Sequence, residues 1–177
     1  MKTKHATILL AAALLAACGE KQPAAETPVP TGPSSTLTAV IDATASGDAK
    51  AIHALRQTAK PGDAVTVSGR VMGNARPFVE GRAAFILGDP EILTSCDENP
   101  DDACETPWDT CCDSPEDKKR GTATIQVIGE DGRVLKEGIE GVGGIDKLAT
   151  LTVSGTVAEG SSPELLVINA NAIDIAE

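Results

Sequence analysis

Gly62-Asp63-Ala64-Val65-Thr66-Val67-Ser68-Gly69-Arg70-Val71 is the stretch on which the fold turns. Val65, Val67 and Val71 alternate with Thr66, Ser68 and Arg70, the period-two pattern of a half-buried strand. Gly69 interrupts it where a missing side chain lets a strand coil sharply. The motif returns as Thr152-Val153-Ser154-Gly155-Thr156-Val157, with five of six positions identical and glycine in the same phase. A small barrel needs strongly coiled strands, and glycine is where they bend.

Working outward from this stretch, Leu37, Val40 and Ile41 lie at helical spacing, as do Ile52, Leu55 and Ala59. Gly47-Asp48 separates the two groups, so one or two short helices are expected, ending at the turn Lys60-Pro61-Gly62-Asp63. Ala83 to Leu87 reads as a second strand and Thr122 to Ile128 as a third, followed by a hairpin turn at Glu130-Asp131-Gly132. Gly138 to Leu148 is glycine-rich and allows at most a short helix. Leu151, Val153 and Val157 mark a fourth strand, and Glu164 to Ile175 a fifth.

This order, with the entry Ile52-x-x-Leu55-Arg56 leading to Gly62-Asp63-x-Val65-x-Val67-x-Gly69-x-Val71, resembles the OB-fold from about residue 51 to 177. The resemblance implies a mainly β protein: a five-stranded Greek-key barrel with a short helix between strands 3 and 4. One or two helices precede it, and a cysteine-rich insert separates strands 2 and 3. Such barrels often bind oligonucleotides or oligosaccharides. This sequence departs from the nucleic-acid subset, because Thr66, Ser68, Thr124, Thr150, Thr152 and Thr156, on the outward face, are small and neutral. The chain has 177 residues, a formal charge of −11, two Phe, one Trp and no Tyr. That composition opposes both a phosphate-binding groove and a base-stacking platform, so nucleic acid is not an expected partner.

The first eighteen residues read as an address. Lys2 and Lys4 precede the apolar run Ala6 to Ala17, which is too short to span a bilayer. Leu15-Ala16-Ala17-Cys18 resembles the lipobox of bacterial lipoproteins. The resemblance implies cleavage before Cys18, diacylglycerol on its sulfur, and a membrane partner held through that lipid. Gly19 follows the cysteine instead of Asp, which by analogy implies the periplasmic face of the outer membrane. The expected organisation is a signal over 1–17, a disordered tether over 18–36 rich in proline, and a single domain over 37–177. Signal removal takes two of the 15 basic residues and none of the 26 acids. It also takes His5, leaving His53 as the only histidine.

Within the domain, 89–120 forms an acidic loop with Cys96, Cys104, Cys111 and Cys112. Nine acids and no Lys or Arg fall between residues 96 and 117. A loop this long without regular structure is either functional or stapled. In an exported chain the leading expectation is two disulfides, with Cys111 and Cys112 each bonded to Cys96 or Cys104. A thiolate site for zinc or a soft metal is the alternative, although the spacing lacks C-x2-C knuckles and adjacent Cys111-Cys112 fits one tetrahedron poorly. A free redox thiol lacks a C-x-x-C motif to support it. Asp97-Glu98 and Asp101-Asp102 could bind calcium but lack EF-hand spacing. Trp108 is either a plug over the cysteines or an anchor for an envelope protein partner.

No G-x-S-x-G, H-E-x-x-H or P-loop pattern occurs. The expected function is therefore a non-catalytic, lipid-anchored binding or interaction module without a cofactor, and the alternative is a metal-binding protein.

Overall fold

The computed structural model describes residues 32–99 and 104–176. Cys18, the signal segment and most of the tether lie outside them. Helix α1 spans Ser35–Asp42 and is capped by Ser34, whose Oγ accepts from the Leu37 N–H at 3.2 Å. Ser34 is itself fixed from across the fold, its N–H donating to Glu137 at 2.8 Å. A two-residue strand β1 (Lys50–Ala51) leads into helix α2 (Ile52–Arg56). Gly47, with φ +97°, makes the break between the helical groups. Helix α2 stops before Ala59, and Asp63 closes the following turn by accepting the Lys60 N–H at 2.9 Å.

The remaining strands are β2 (Ala64–Arg70), β3 (Ala84–Gly88), β4 (Thr122–Gln126), β5 (Thr150–Val157) and β6 (Val167–Ile175). Their hydrogen-bonded order is β2-β3-β4-β6-β5, and β5 pairs back onto β2, so the sheet closes as a five-stranded barrel. All its pairings are antiparallel except β4 with β6. β2 pairs with β5 from Ala64 to Arg70, but with β3 only at Arg70↔Gly88. The short β1 adds a parallel pairing to β2. This architecture is consistent with an OB-like barrel.

The sequence echo is a physical pairing. Val67 sits directly opposite Val153, so the two copies lie side by side, antiparallel. Their glycines mark where each strand crowds a different neighbour. A Cβ on Gly69 would stand 2.6 Å from the Gly88 carbonyl oxygen of β3. A Cβ on Gly155 would stand 2.3 Å from the Asn169 carbonyl oxygen of β6, beside a register shift at Ser154/Gly155. Such a bulge increases local twist, which helps a five-strand sheet close.

Inside the barrel, Val67, Phe85, Leu87, Ile125, Leu151, Val153 and Ile168 are buried in one core with Leu37 of α1 and Ile52 and Leu55 of α2. Phe78 and Phe85 meet with ring centroids 5.9 Å apart. Both phenylalanines are thus spent on packing.

Several features differ from expectation, among them the unexpected β1 and a last strand that starts at Val167 instead of Glu164. The helix expected between the third and fourth strands is a single 3-10 turn, Val142–Gly144. Gly143 there has φ +61°, and a Cβ on it would meet the Ile41 side chain at 2.5 Å. Gly143 serves close approach to α1, and Gly144 close approach to Ile175 of β6, rather than helix formation. Thr66 is buried although it leaves the barrel wall, because the Ser46 segment covers it. Its hydroxyl donates to the Ser46 carbonyl and lies 3.0 Å from the Ser154 hydroxyl.

The acidic insert also contains a helix that the expectation omitted, α3 (Pro115–Gly121). The local chemistry explains it. Ser114 caps the Asp117 N–H at 3.0 Å and Pro115 opens the first turn. Glu116 and Asp117 then sit at the positive end and Lys118, Lys119 and Arg120 at the negative end. Hydrogen bonds from Ser114 and Arg120 hold the Asp117 carboxyl below its ordinary pKa. Ser114→Ala is expected to cost about 1 kcal/mol, read as a small drop in the urea midpoint with unchanged slope.

Candidate metal centre in the acidic loop

The insert is docked to the barrel from its base upward. Asp89, fully buried, opens it. Its carboxylate accepts the His53 N–H at 2.9 Å and the Glu91 N–H at 3.0 Å, and contacts His53 Nδ1 at 2.8 Å. Its own N–H donates to the Gly121 carbonyl at 2.8 Å, so the two ends of the insert are tied together. A buried carboxylate persists only with such a donor set.

Arg70, at the end of β2, holds the next segment. Its Nε donates to the Leu148 carbonyl at 3.0 Å. Its terminal nitrogens reach Ser95 Oγ at 2.9 Å, Asp97 Oδ2 at 2.8 Å and Glu98 Oε1 at 2.9 Å. Asp97 is partly desolvated, which alone would raise its pKa. Hydrogen bonds from Ser95 and Arg70 outweigh that and hold the carboxyl below its usual value. The planar guanidinium fork is suited to this multidentate grip.

The loop then folds back on itself. Cys96 N–H donates to the Asp109 carbonyl and Asp97 N–H to the Pro107 carbonyl, both at 2.9 Å. The returning strand of the loop lies against residues 73–75. Trp108 carbonyl accepts the Gly73 N–H at 3.2 Å, and Trp108 Nε1 donates to the Ala75 carbonyl at 3.0 Å. Lys147 stands over the indole, its Nζ 4.7 Å from the ring centroid. Thr110, fully buried, donates to the Gly73 carbonyl at 3.3 Å.

This scaffold brings the sulfurs together. Cys96, Cys104 and Cys111 present Sγ atoms that all lie within 4.8 Å of one another. Cys96 and Cys111 are 3.5 Å apart, and Cys111 and Cys112 are 3.9 Å apart. Thr106 Oγ1 sits 3.3 Å from the Cys104 sulfur. The expected pair of disulfides is therefore not the arrangement observed. All four cysteines are unbridged, and their spacings far exceed the roughly 2.05 Å of an S–S bond. Three of them, Cys96, Cys104 and Cys111, are close enough to share one cation, while Cys112 lies outside that group. Four sulfurs at about 2.3 Å from one tetrahedral zinc stand about 3.8 Å from each other. The objection that neighbouring cysteines fit one tetrahedron poorly stands: Cys112 approaches Cys111 at 3.9 Å but is not one of the three sulfurs that lie within 4.8 Å of one another.

Removal from water, reinforced by the neighbouring thiols, pushes Cys96 up to about 12. A cation among these sulfurs reverses that balance, because a metal-bound thiol is deprotonated.

Other sequence expectations meet the structure unevenly. Among the described residues, no group of acids comes together as a cation site, and Asp97 is engaged by Arg70. Asp101 and Asp102 lie outside the described residues. Trp108 is half-buried and bonded to residues 73–75, so it fastens the loop to the barrel. Arg70, Asp89 and Lys147 were not expected at the site. Arg70 read simply as an outward strand residue, and nothing local marks its partners 25 to 28 positions away.

No protein-family model, curated protein or solved structure matches this chain.

Proposed function

We propose that this chain is a lipid-anchored envelope protein whose OB-type Greek-key barrel carries a thiolate metal-binding loop. Cys96, Cys104 and Cys111 hold zinc or a soft metal, and Cys112 stands beside Cys111, sulfur to sulfur at 3.9 Å. The observation that carries this reading is the mutual approach of three sulfurs to within 4.8 Å with none at bonding distance. The closed strand order with one parallel pairing supports the OB assignment. The lipobox-like Leu15-Ala16-Ala17-Cys18 supports the anchor on the periplasmic face of the outer membrane. The non-catalytic binding role expected from the sequence thereby acquires a ligand class.

Thiolate sulfur favours zinc and monovalent copper over hard cations such as calcium and magnesium. Mass spectrometry of the intact, anaerobically purified protein tests the assignment. One metal per chain is expected, with loss of that metal in Cys96→Ser and Cys111→Ser proteins. A metal-free chain four protons lighter than its reduced mass would instead establish two disulfides and overturn it. In the same experiment Cys18→Ala is expected to remove the lipid mass and the partition into membranes.

A further inference from the structure

We propose that the metal in this loop is cargo: it is exchanged through the exposed Cys111-Cys112 edge with a thiol-bearing partner whose docking face is basic. This rests on the metal-binding reading above and adds what the site does with its ion.

The first support is that the fold closes without the loop. Among the described residues, every member of the main buried cluster comes from outside 89–120. Structural zinc sites, by contrast, contribute folding energy and sit in domains that need them. Here the barrel strands, α1 and α2 supply the core.

The second support is a gradient of burial across the sulfurs. Cys96 is 5 % exposed, while Cys111 and Cys112 are both exposed. Cys96 is also the fixed member. Arg70 grips Ser95, Asp97 and Glu98 around it, and its N–H is bonded to Asp109. Cys111 and Cys112 form a two-residue projection between anchored points. Thr110 is tied to Gly73 on one side, and Asp113 accepts the Thr94 N–H at 3.0 Å on the other. A site with a rigid rear ligand and an accessible front pair admits an incoming ligand from the solvent side.

The third support is charge. The sequence between residues 96 and 117 that bears this edge carries nine acids and no Lys or Arg. Among the described residues, Arg70 and Lys147 are cations from outside the loop that contact it, at Asp97 and Glu98 and at the Trp108 ring respectively. A partner approaching the exposed thiols meets a negative rim, and complementarity selects a positive one.

The step is ligand exchange without redox change. The acceptor thiol gives its proton to the departing Cys111 sulfur as the acceptor sulfur takes that sulfur's place on the metal. One metal–sulfur bond forms as one breaks, and the metal keeps its charge.

The experiment uses the full chain in detergent, loaded with Zn(II), and two peptide acceptors. Each peptide carries two cysteines, one flanked by lysines and the other by glutamates. The metal-free protein is expected to keep its β circular dichroism and a cooperative thermal transition. Zinc transfer should accelerate in proportion to acceptor concentration. It should be about tenfold faster to the lysine peptide at low salt, a difference that shrinks at high salt. A metal-free protein that is unfolded, or a rate independent of acceptor, would make the ion structural and overturn the cargo role. Equal rates for the two peptides would overturn the basic partner. Failure of the wild-type chain to take up zinc or another thiophilic ion overturns the metal-binding reading, and the cargo role falls with it.

Discussion

Gly155→Val is expected to abolish folding or to remove most of the stability, by about 4 kcal/mol or more, against the 5–15 kcal/mol typical of a domain. Strand propensity argues the other way, since valine exceeds glycine in a strand by up to about 1 kcal/mol. The clash decides the sign. A Cβ at 155 would lie 2.3 Å from the Asn169 carbonyl oxygen and 2.9 Å from its carbon. Both are backbone of β6, paired to β5 along their length, and cannot rotate aside. Thr156→Val, one residue on and exposed, is the matched control and should shift stability by less than about 0.5 kcal/mol. Urea unfolding of the two proteins checks this. Equal midpoints would show that the β5–β6 pairing tolerates a side chain.

Asp89→Ala should cost about 2 kcal/mol, because it strands donors that the buried carboxylate satisfies. The His53 N–H, the Glu91 N–H and His53 Nδ1 lose their acceptor together. The loss is also spatially specific. Asp89 joins α2 to the entry of the insert, and its N–H meets Gly121 at the exit. Protease cleavage within 89–120 should therefore rise before the barrel melts. Asp89→Asn keeps an amide oxygen to accept one of these bonds and should show a smaller effect in the same direction. If cleavage in the loop is unchanged while the midpoint falls, Asp89 serves the barrel alone.

These two residues show what can be read from the chain at different ranges. Gly155 stood out because its motif repeats that of Gly69, and alternation around both identified strands. Asp89 looked like one acid among many beside Pro90, and His53 like an edge residue of a short helix. Their pairing spans 36 positions and has no local signature. Helix α3 is the opposite case. Ser114-Pro115-Glu116-Asp117-Lys118-Lys119-Arg120 carries a cap, an N-terminal proline and charges ordered along the dipole. The information was local and present, but the surrounding density of acids and prolines masked it.

The cysteines divide along the same line. Their number and the acids around them are properties of the sequence, and together with the expected export they made both bridges and a metal site reasonable. The sequence by itself determined the strands, their turns and the glycines at the seams, because side-chain alternation and backbone conformation are set within a few residues. Only the tertiary structure decided how the sulfurs are disposed. Sulfur separations depend on where Arg70, Asp89 and residues 73–75 hold a loop that has no periodic pattern of its own. An unperiodic segment takes its shape from the distant groups that satisfy its backbone and charges, and those partners become neighbours only when the barrel closes.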